Sequence, residues 1–382
     1  MDNSTRVPLR RVVREWGRIG LLGFGGPPAH MSLLRETCVT KNGWVTDAEF
    51  EDSIAACNLL PGPASTQLAI LTAHRVAGSW GAVLGGLAFI CPGLGIIIAL
   101  AALLLADAPP EWVVALGAGA GASVAAIAVH AGVSLARSSR HRVGSLRRWV
   151  LYLVIGGVVA ATNGVLVVVV LIVCGLCEVI VKRSTNPAFV PWAVFAVPST
   201  VATSGGTAAL VWVAFKVGAL SYGGGFVIIP MMQRDAVEVY RWMSEGDFLN
   251  AVALGQVTPG PVVLTVAVVG YAAAGVGGAG LAALVAFGPS FLIVLFGAKA
   301  FDRLRGNATV RSFLDGAGPA AIGAILGAAI PLARALNEMW QFGVLVGAAA
   351  LLFVARRGVV TTILVAAGSG LVALAFGAPM PV

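Results

Sequence analysis

Two Pro-Gly-Pro tripeptides, Pro61-Gly62-Pro63 and Pro259-Gly260-Pro261, and two lone cations, Arg18 and Lys216, are the residues of this chain best suited to chemistry. Proline lacks a backbone N–H and clashes with the preceding turn, so two prolines around a glycine end a helix. A helix restarting after each tripeptide presents unpaired N–H groups, from Ala64, Ser65 and Thr66 in one case and Val262, Val263 and Leu264 in the other. Such an end carries about half a positive charge and takes up anions readily. Asn58, Gln256 and Thr258 add hydrogen-bonding side chains beside the tripeptides. The runs Gly23-Phe24-Gly25-Gly26-Pro27 and Tyr222-Gly223-Gly224-Gly225 can hardly stay regular helix in lipid, and irregular backbone is tolerated there only when buried or lining water. Together these residues form a candidate anion-binding set. The competing explanations are kinks used only for packing and a close glycine crossing.

Lys216 lies in the otherwise apolar stretch Val211 to Leu220. An intramembrane cation is costly and marks function by default, unless its long stem snorkels to the interface. Arg18 reads either as its partner or as the last of the N-terminal charges. Glu15, Glu36, Asp235 and Glu238 are candidates for proton coupling or ion pairs. His30 and His74 are expected to make local polar contacts. Trp44-x5-Phe50 and Trp242-x5-Phe248 are expected as interfacial anchors.

The elements that hold these residues must be membrane helices. Charged side chains make up 11% of the 382 residues and hydrophobic ones 58%, with a mean hydropathy of +0.91. Soluble domains carry about 25% charge, so a soluble enzyme, a disordered regulator and a secreted disulfide module are excluded. Glycine, at 49 residues, is nearly twice its usual share of about 7%, as helices packing closely in lipid require. Gly81-x3-Gly85, Gly117-x3-Gly121 and Gly323-x3-Gly327 fit that use. Cys174-x2-Cys177 sits in an apolar run without a second pair and is read as packing rather than metal binding. The basic N-terminus is read as retained, not as a signal peptide.

Apolar blocks fall at 15–34, 51–74, 79–106, 112–136, 149–181 with a turn at Asn163-Gly164, 187–205, 207–232, 248–272, 277–298, 314–335, 340–354 and 359–376. About thirteen crossings result, at about 20 apolar residues each. With residues 1–14 cytoplasmic, loop 137–148 falls inside with five arginines, and loop 107–111, with Asp107 and Glu111, falls outside. Counting 187–205 as a crossing also puts Lys299, Arg303, Arg305, Arg311, Arg356 and Arg357 inside and the C-terminus outside.

Sliding the chain on itself by 198 residues lays 18–69 on 216–267 without a gap. Gly20, Leu22, Gly25 and Gly26 meet Gly218, Leu220, Gly223 and Gly224. Trp44 and Phe50 meet Trp242 and Phe248, the two Pro-Gly-Pro tripeptides coincide, and Arg18 meets Lys216. Seven crossings, an odd number, separate the copies, so they enter from opposite sides. The expected fold is an all-α polytopic membrane protein of two inverted-topology repeats with broken helices at the tripeptides. Its parts are an N-terminal repeat, 1–183, a connecting segment that crosses, 184–206, and a C-terminal repeat, 207–382. Inverted repeats with interrupted helices are the mark of secondary transporters, whose site lies near the midplane.

At these residues the sequence resembles the chromate ion transporter family, in its long two-domain form. The marks are Phe24-Gly25-Gly26-Pro27 with Ala29-His30, Trp44, Leu60-Pro61-Gly62-Pro63, Lys216-x-Gly218, Gly223-Gly224-Gly225, Pro230, and Gln256-x2-Pro259-Gly260-Pro261 before Gly270-Tyr271. They span both halves. Asn58 departs from the pattern, standing where the longer Gln is expected. The resemblance implies a bacterial inner-membrane protein that exports chromate and confers resistance, with sulfate as the competing lookalike. Chromate or sulfate and the lipid bilayer are the expected partners, a homodimer is compatible, and no nucleic acid is expected. The alternatives are a sulfate or other oxyanion porter, proton-coupled or not, an integral-membrane enzyme, and a non-transporting scaffold. No Walker, HExxH, G-x-S-x-G or nucleotide motif stands out, so no enzymatic activity, cofactor or metal is expected.

Overall fold

The computed structural model describes residues 7–57, 60, 62–140, 145–162, 166–182, 206–221, 226–297 and 307–381. Expectations for Asn58, Gly223, Gly224, the turn at Asn163-Gly164 and the 187–205 crossing lie outside these residues. All regular structure among the described residues is helical. In the first half, α1 is Leu9–Leu22 and α2 is Pro27–Arg35, prolonged by a π-turn at Glu36–Lys41. Then come α3 (Asp47–Cys57), α4 (Ala64–Leu104), α5 (Glu111–Ala122), α6 (Val124–Ser139), α7 (Leu146–Thr162) and α8 (Val167–Val181). The second half has α9 (Thr207–Leu220), α10 (Ile229–Gln233) with its π-turn Arg234–Val239, α11 (Glu245–Val257) and α12 (Thr265–Gly297). It closes with α13 (Ala308–Arg334), α14 (Met339–Ala349) with the π-turn Ala350–Val354, and α15 (Val359–Ala375).

The 198-residue offset reappears in local structure. It carries α1 onto α9, one π-turn onto the other, and the start of α3 onto the start of α11. The same helix cap also occurs twice. Thr46 Oγ1 accepts from the Glu49 N–H at 3.3 Å while Glu49 takes the Thr46 N–H at 2.9 Å. Ser244 and Asp247 do the same at 3.1 and 3.2 Å. This capping box opens α3 and α11. Glu49, outside the membrane segments, has its pKa lowered chiefly by the Thr46 N–H bond.

Several expected spans are hairpins. Arg75 Nη1 donates to the Glu49 carbonyl at 2.9 Å, thirteen residues either side of Gly62. A continuous helix would hold those residues about 39 Å apart. The chain therefore enters along α3, has reversed by Gly62 and returns along the first part of α4. Gly255 on α11 abuts the Thr265 side chain on α12, five residues either side of Gly260, so the second tripeptide is also a reversal. Arg11 Nη2 reaches Asn42 Oδ1 at 2.6 Å, and Trp16 stacks on Trp44, folding α2 and its π-turn back along α1. A second reversal lies inside α4, at Gly78 (φ 70°, ψ −162°), where Gly85 meets Ala73 and Gly86 meets Ile70. Gly275 (φ 60°, ψ −153°) does the same inside α12.

Blocks 15–34, 51–74 and 248–272 are thus reversals rather than single crossings, because glycine and proline at their centres turn the chain. Among the described residues, four helical stretches are long and apolar enough to cross a membrane: Ala64–Leu104, Glu111–Arg137, Val262–Gly297 and Ala308–Arg334. Val167–Val181, Thr207–Leu220, Met339–Val354 and Val359–Ala375 are shorter apolar helices. The molecule is a multi-pass membrane protein. Phe50 and Phe248, expected at the interface, are fully buried core residues instead.

The chain forms two compact units, each drawing on both sequence halves. One comprises Met1–Pro109, Leu210–Gly225 and Ala251–Asp302, the other Pro110–Ala209, Phe226–Asn250 and Arg303–Val382. In the second, α7 and α8 pack on α13 with glycines at the contacts. A methyl group on Gly156 would strike the Ala320 carbonyl, one on Gly323 the Leu153 carbonyl, and one on Gly316 the Cys174 carbonyl. Backbone approach of this kind is how apolar helices associate in lipid. Gly323→Ala should destabilise the detergent-solubilised protein by about 1–3 kcal/mol, the usual penalty of overpacking. Gly95→Ala, with open space around it, should leave the melting temperature unchanged or raise it.

Candidate functional site

In the first unit the two tripeptide tips bond to opposite repeats. The Gly62 N–H donates to the Ser221 carbonyl at 2.9 Å, and the Gly260 N–H donates to the Gly23 carbonyl at 3.1 Å. Residues 62 and 260 are counterparts under the 198 offset, and so are 23 and 221. Such reciprocity, i to j and then their equivalents, characterises contacts related by a two-fold axis. The flanks repeat it. The first tip lies against α12, where a methyl on Gly62 would come 3.2 Å from Ser290 Oγ. The second lies against α4, where a methyl on Gly93 would strike the Pro259 carbonyl. Gly26 faces the Val262 side chain at the second tip.

Both reversals require glycine. Gly62 has φ of 117° and Gly260 of 105°, and Gly25 and Gly26 are at 96° and 77°. These left-handed values are ones that L side chains rarely adopt. After the first tip α4 starts at Ala64, its cap residue Pro63 supplying no side-chain bond. After the second, the chain makes one tight turn, Val262–Leu264, before α12. There the Leu264 N–H donates to the Pro261 carbonyl at 2.9 Å, so of its expected free donors Val262 and Val263 remain.

Polar side chains crowd these tips. Ser65, Thr66, Gln67, Ser221, Gln256, Thr258 and Ser290 are all buried. Among the described residues, Thr66 Oγ1, Ser221 Oγ, Gln256 Nε2, Thr258 Oγ1 and Ser290 Oγ are buried atoms without a hydrogen-bond partner in the protein. Well over 90% of buried polar groups in native proteins are paired, so orphans concentrated beside two chain reversals single the tips out as the candidate site. All but Gln256 Nε2 are hydroxyls, which can donate to an anion.

The cations differ. Lys216, on α9, is 7% exposed, and its ammonium lies 5.8 Å from the Trp212 ring centre. Gly218 brings α9 against the Ala286 carbonyl of α12, just as Gly20 brings α1 against the Phe89 carbonyl of α4. Arg18, the counterpart on α1, is exposed and close enough to Glu36 to help hold that carboxylate ionised, behind the larger effect of Lys41 at 2.6 Å. Gly25 is exposed and Gly26 buried.

Three residues were not singled out as site candidates in the sequence. His30 is buried, edge-on to Phe89, and its Nε2 donates at 2.9 Å to the Gly23 carbonyl that also receives Gly260. Ser221 and Ser290 stand at the first tip. The repeat register held the signal, since Ser221 is the counterpart of Gly23. Ser290 is level with Gly93 only after a one-residue slip in register between 69 and 78.

A family model described as chromate transporter matches residues 10–179 and 208–374. A chromate transport protein of Cupriavidus metallidurans is 33% identical over 341 residues, covering 85% of this chain and 83% of that protein. A probable chromate transport protein of Synechococcus elongatus is 30% identical, covering 90% and 89%. A chromate transport protein of Pseudomonas aeruginosa is 31% identical, covering 84% and 80%. No solved structure matches the chain.

Gly62→Ala and Gly260→Ala should each cost about 1–3 kcal/mol, the price of a left-handed non-glycine residue. Melting temperatures in detergent should fall by similar amounts for the two, as reciprocal positions demand.

Proposed function

The chain belongs to the chromate transporter family, and from that premise we propose that it carries chromate out of the cell as a secondary transporter, at a site formed by the two tripeptide tips. One observation carries the proposal: reciprocal bonds join Gly62 to Ser221 and Gly260 to Gly23, amid buried hydroxyls that lack protein partners. Chromate is a tetrahedral dianion. It accepts hydrogen bonds from every side, so hydroxyls and backbone N–H groups converging from two directions suit it. Lys216 supplies one full positive charge from within the fold, the helix starts at Ala64 and Val262 add partial ones, and Arg18 adds the second cation from its exposed place on α1.

The repeats are taken as inverted. The reversals remove two crossings from the first half, at 15–34 and 51–74, so the number separating the copies stays odd as long as 187–205 crosses. The reciprocal tip contacts fit two copies around one two-fold axis, and the odd number of crossings between them is what would lay that axis in the membrane plane. Unequal exposure of the matched cations suits a carrier resting in one of its two states. We place the protein in the bacterial inner membrane with a cytoplasmic N-terminus and a periplasmic C-terminus. This holds when 207–232 reverses as its counterpart 15–34 does; the clusters at 137–148 and 356–357 then both face the cytoplasm.

Voltage gives the direction. Moving two negative charges out of a negative interior releases about 4.6 kcal/mol per 100 mV, at about 2.3 per charge. Export therefore needs no coupled ion, whereas inward movement of the same dianion would.

The test is chromate uptake into inside-out vesicles, with the potential set by potassium diffusion and sulfate as competitor. Uptake should rise with an inside-positive potential and resist excess sulfate. Uptake blocked by equimolar sulfate, or independent of voltage but driven by a pH gradient, would instead identify a proton-coupled oxyanion porter. Lys216→Gln should cut transport at least about tenfold, a loss of about 1.4 kcal/mol or more. Ser290→Ala and Thr66→Val should lower transport while leaving the melting temperature unchanged or higher, because each deletes a buried hydroxyl that bonds nothing in the protein. Normal transport in all three variants would remove the proposed site.

A further inference from the structure

We propose that the second unit carries a separate site for a resident anionic phospholipid, in a basic pocket where α6 meets the junction of α14 and α15. A cavity of about 510 Å³ is lined there by Arg137, Arg356, Arg357, His130 and Ser134, together with Leu352 and Phe353. Among the described residues no carboxylate lines it. Three guanidiniums without a counter-charge repel one another, and Arg pairs with phosphate oxygens through two parallel N–H bonds. Such a lining suits a phosphate group.

The backbone adds to this. Arg356 has φ of 51°, in the left-handed region, directly after the π-turn Ala350–Val354. The Ala355 N–H bonds to the Ala350 carbonyl and the Arg357 N–H to the Leu351 carbonyl, so the helix closes through a left-handed residue. Glycine or asparagine normally fills that position, because a β-carbon is strained there. Arg241 closes the π-turn Arg234–Val239 in the same left-handed way, so strain alone marks no site; what sets Arg356 apart is that it also lines a basic cavity, which points to a use for that side chain. The next helix, α15, begins at Gly358 on the same rim without a side-chain cap.

An apolar groove identifies the rest of the ligand. It occupies about 720 Å³ between α14 and α15 and is lined by Trp340, Val344, Leu351, Val354, Val365 and Val372 among others. It reaches Val354 and Ala355, next in sequence to the arginines of the pocket. Val354 and Phe353 at the junction are 81% and 39% exposed. An acyl chain laid along the groove would deliver its phosphate to Arg356, Arg357 and Arg137. Basic pockets between membrane helices are typical places for anionic headgroups. A free tetrahedral oxyanion would satisfy the arginines equally well but would leave the groove unused.

The full-length protein, delipidated in neutral detergent, would be titrated with phosphatidylglycerol, with phosphatidylcholine and with inorganic phosphate. Bound lipid would be read by native mass spectrometry and by melting temperature. Phosphatidylglycerol should bind at least tenfold more tightly than phosphatidylcholine and raise the melting temperature. Arg356→Gly relieves the left-handed strain, so that variant should fold at least as well as the parent yet lose most of the phosphatidylglycerol affinity. Arg311→Gln, which removes the same charge outside the pocket, should retain it. Equal binding of the two lipids, unchanged binding by Arg356→Gly, or inorganic phosphate reproducing the whole stabilisation would each overturn the lipid site.

Discussion

Hydrocarbon offers a peptide group no hydrogen bond, and each backbone N–H or C=O left unpaired in it costs several kcal/mol. A chain that reverses direction inside a membrane protein must find partners for the groups its turn releases. In this molecule each Pro-Gly-Pro tip finds one of them in the opposite repeat, Gly62 on Ser221 and Gly260 on Gly23. The two cross-bonds answer that need; the polar side chains around the tips do not, since among the described residues five of their buried atoms lack a partner in the protein.

Close approach makes the pairing possible. Gly20 against Phe89, Gly218 against Ala286 and Gly93 against Pro259 put backbone directly on backbone. A β-carbon at any of them would force helices apart and pull the tips from their acceptors. Glycine abundance therefore serves two purposes. At Gly62 and Gly260 it permits the left-handed turn, and elsewhere it lets the walls close around that turn. The second unit uses the same device where α7 and α8 meet α13, and it ties the ends of those helices with buried Glu178, bridged by Arg148 at 3.0 Å and Lys182 at 3.4 Å.

Much of this was legible in the residues. The repeat, the tripeptides and the lone lysine all stand out, because each is a rare type at a matched spacing. The Thr46–Glu49 and Ser244–Asp247 caps were equally legible, as a hydroxyl three residues before a carboxylate, and the repeat alignment passed over them. Hydropathy misread the reversals. A hairpin of two apolar arms and a single broken span have the same composition, and only tertiary contacts such as that of Arg75 with Glu49 distinguish them. Phe50 and Phe248 misled for a related reason, since an aromatic ring near a charged loop suits an interface or a core equally well.

The sequence by itself determined that this is a helical membrane protein in which 18–69 resembles 216–267 and the chain breaks at fixed places, because composition and self-similarity are properties of the chain alone. Tertiary structure decided which groups those breaks bring together. Ser290 carries no signal in the 198-residue register until a tip from elsewhere in the chain lies against it, and matched Arg18 and Lys216 differ in exposure although the alignment makes them equivalent. Partnership and burial depend on what arrives from distant segments, which no local pattern encodes.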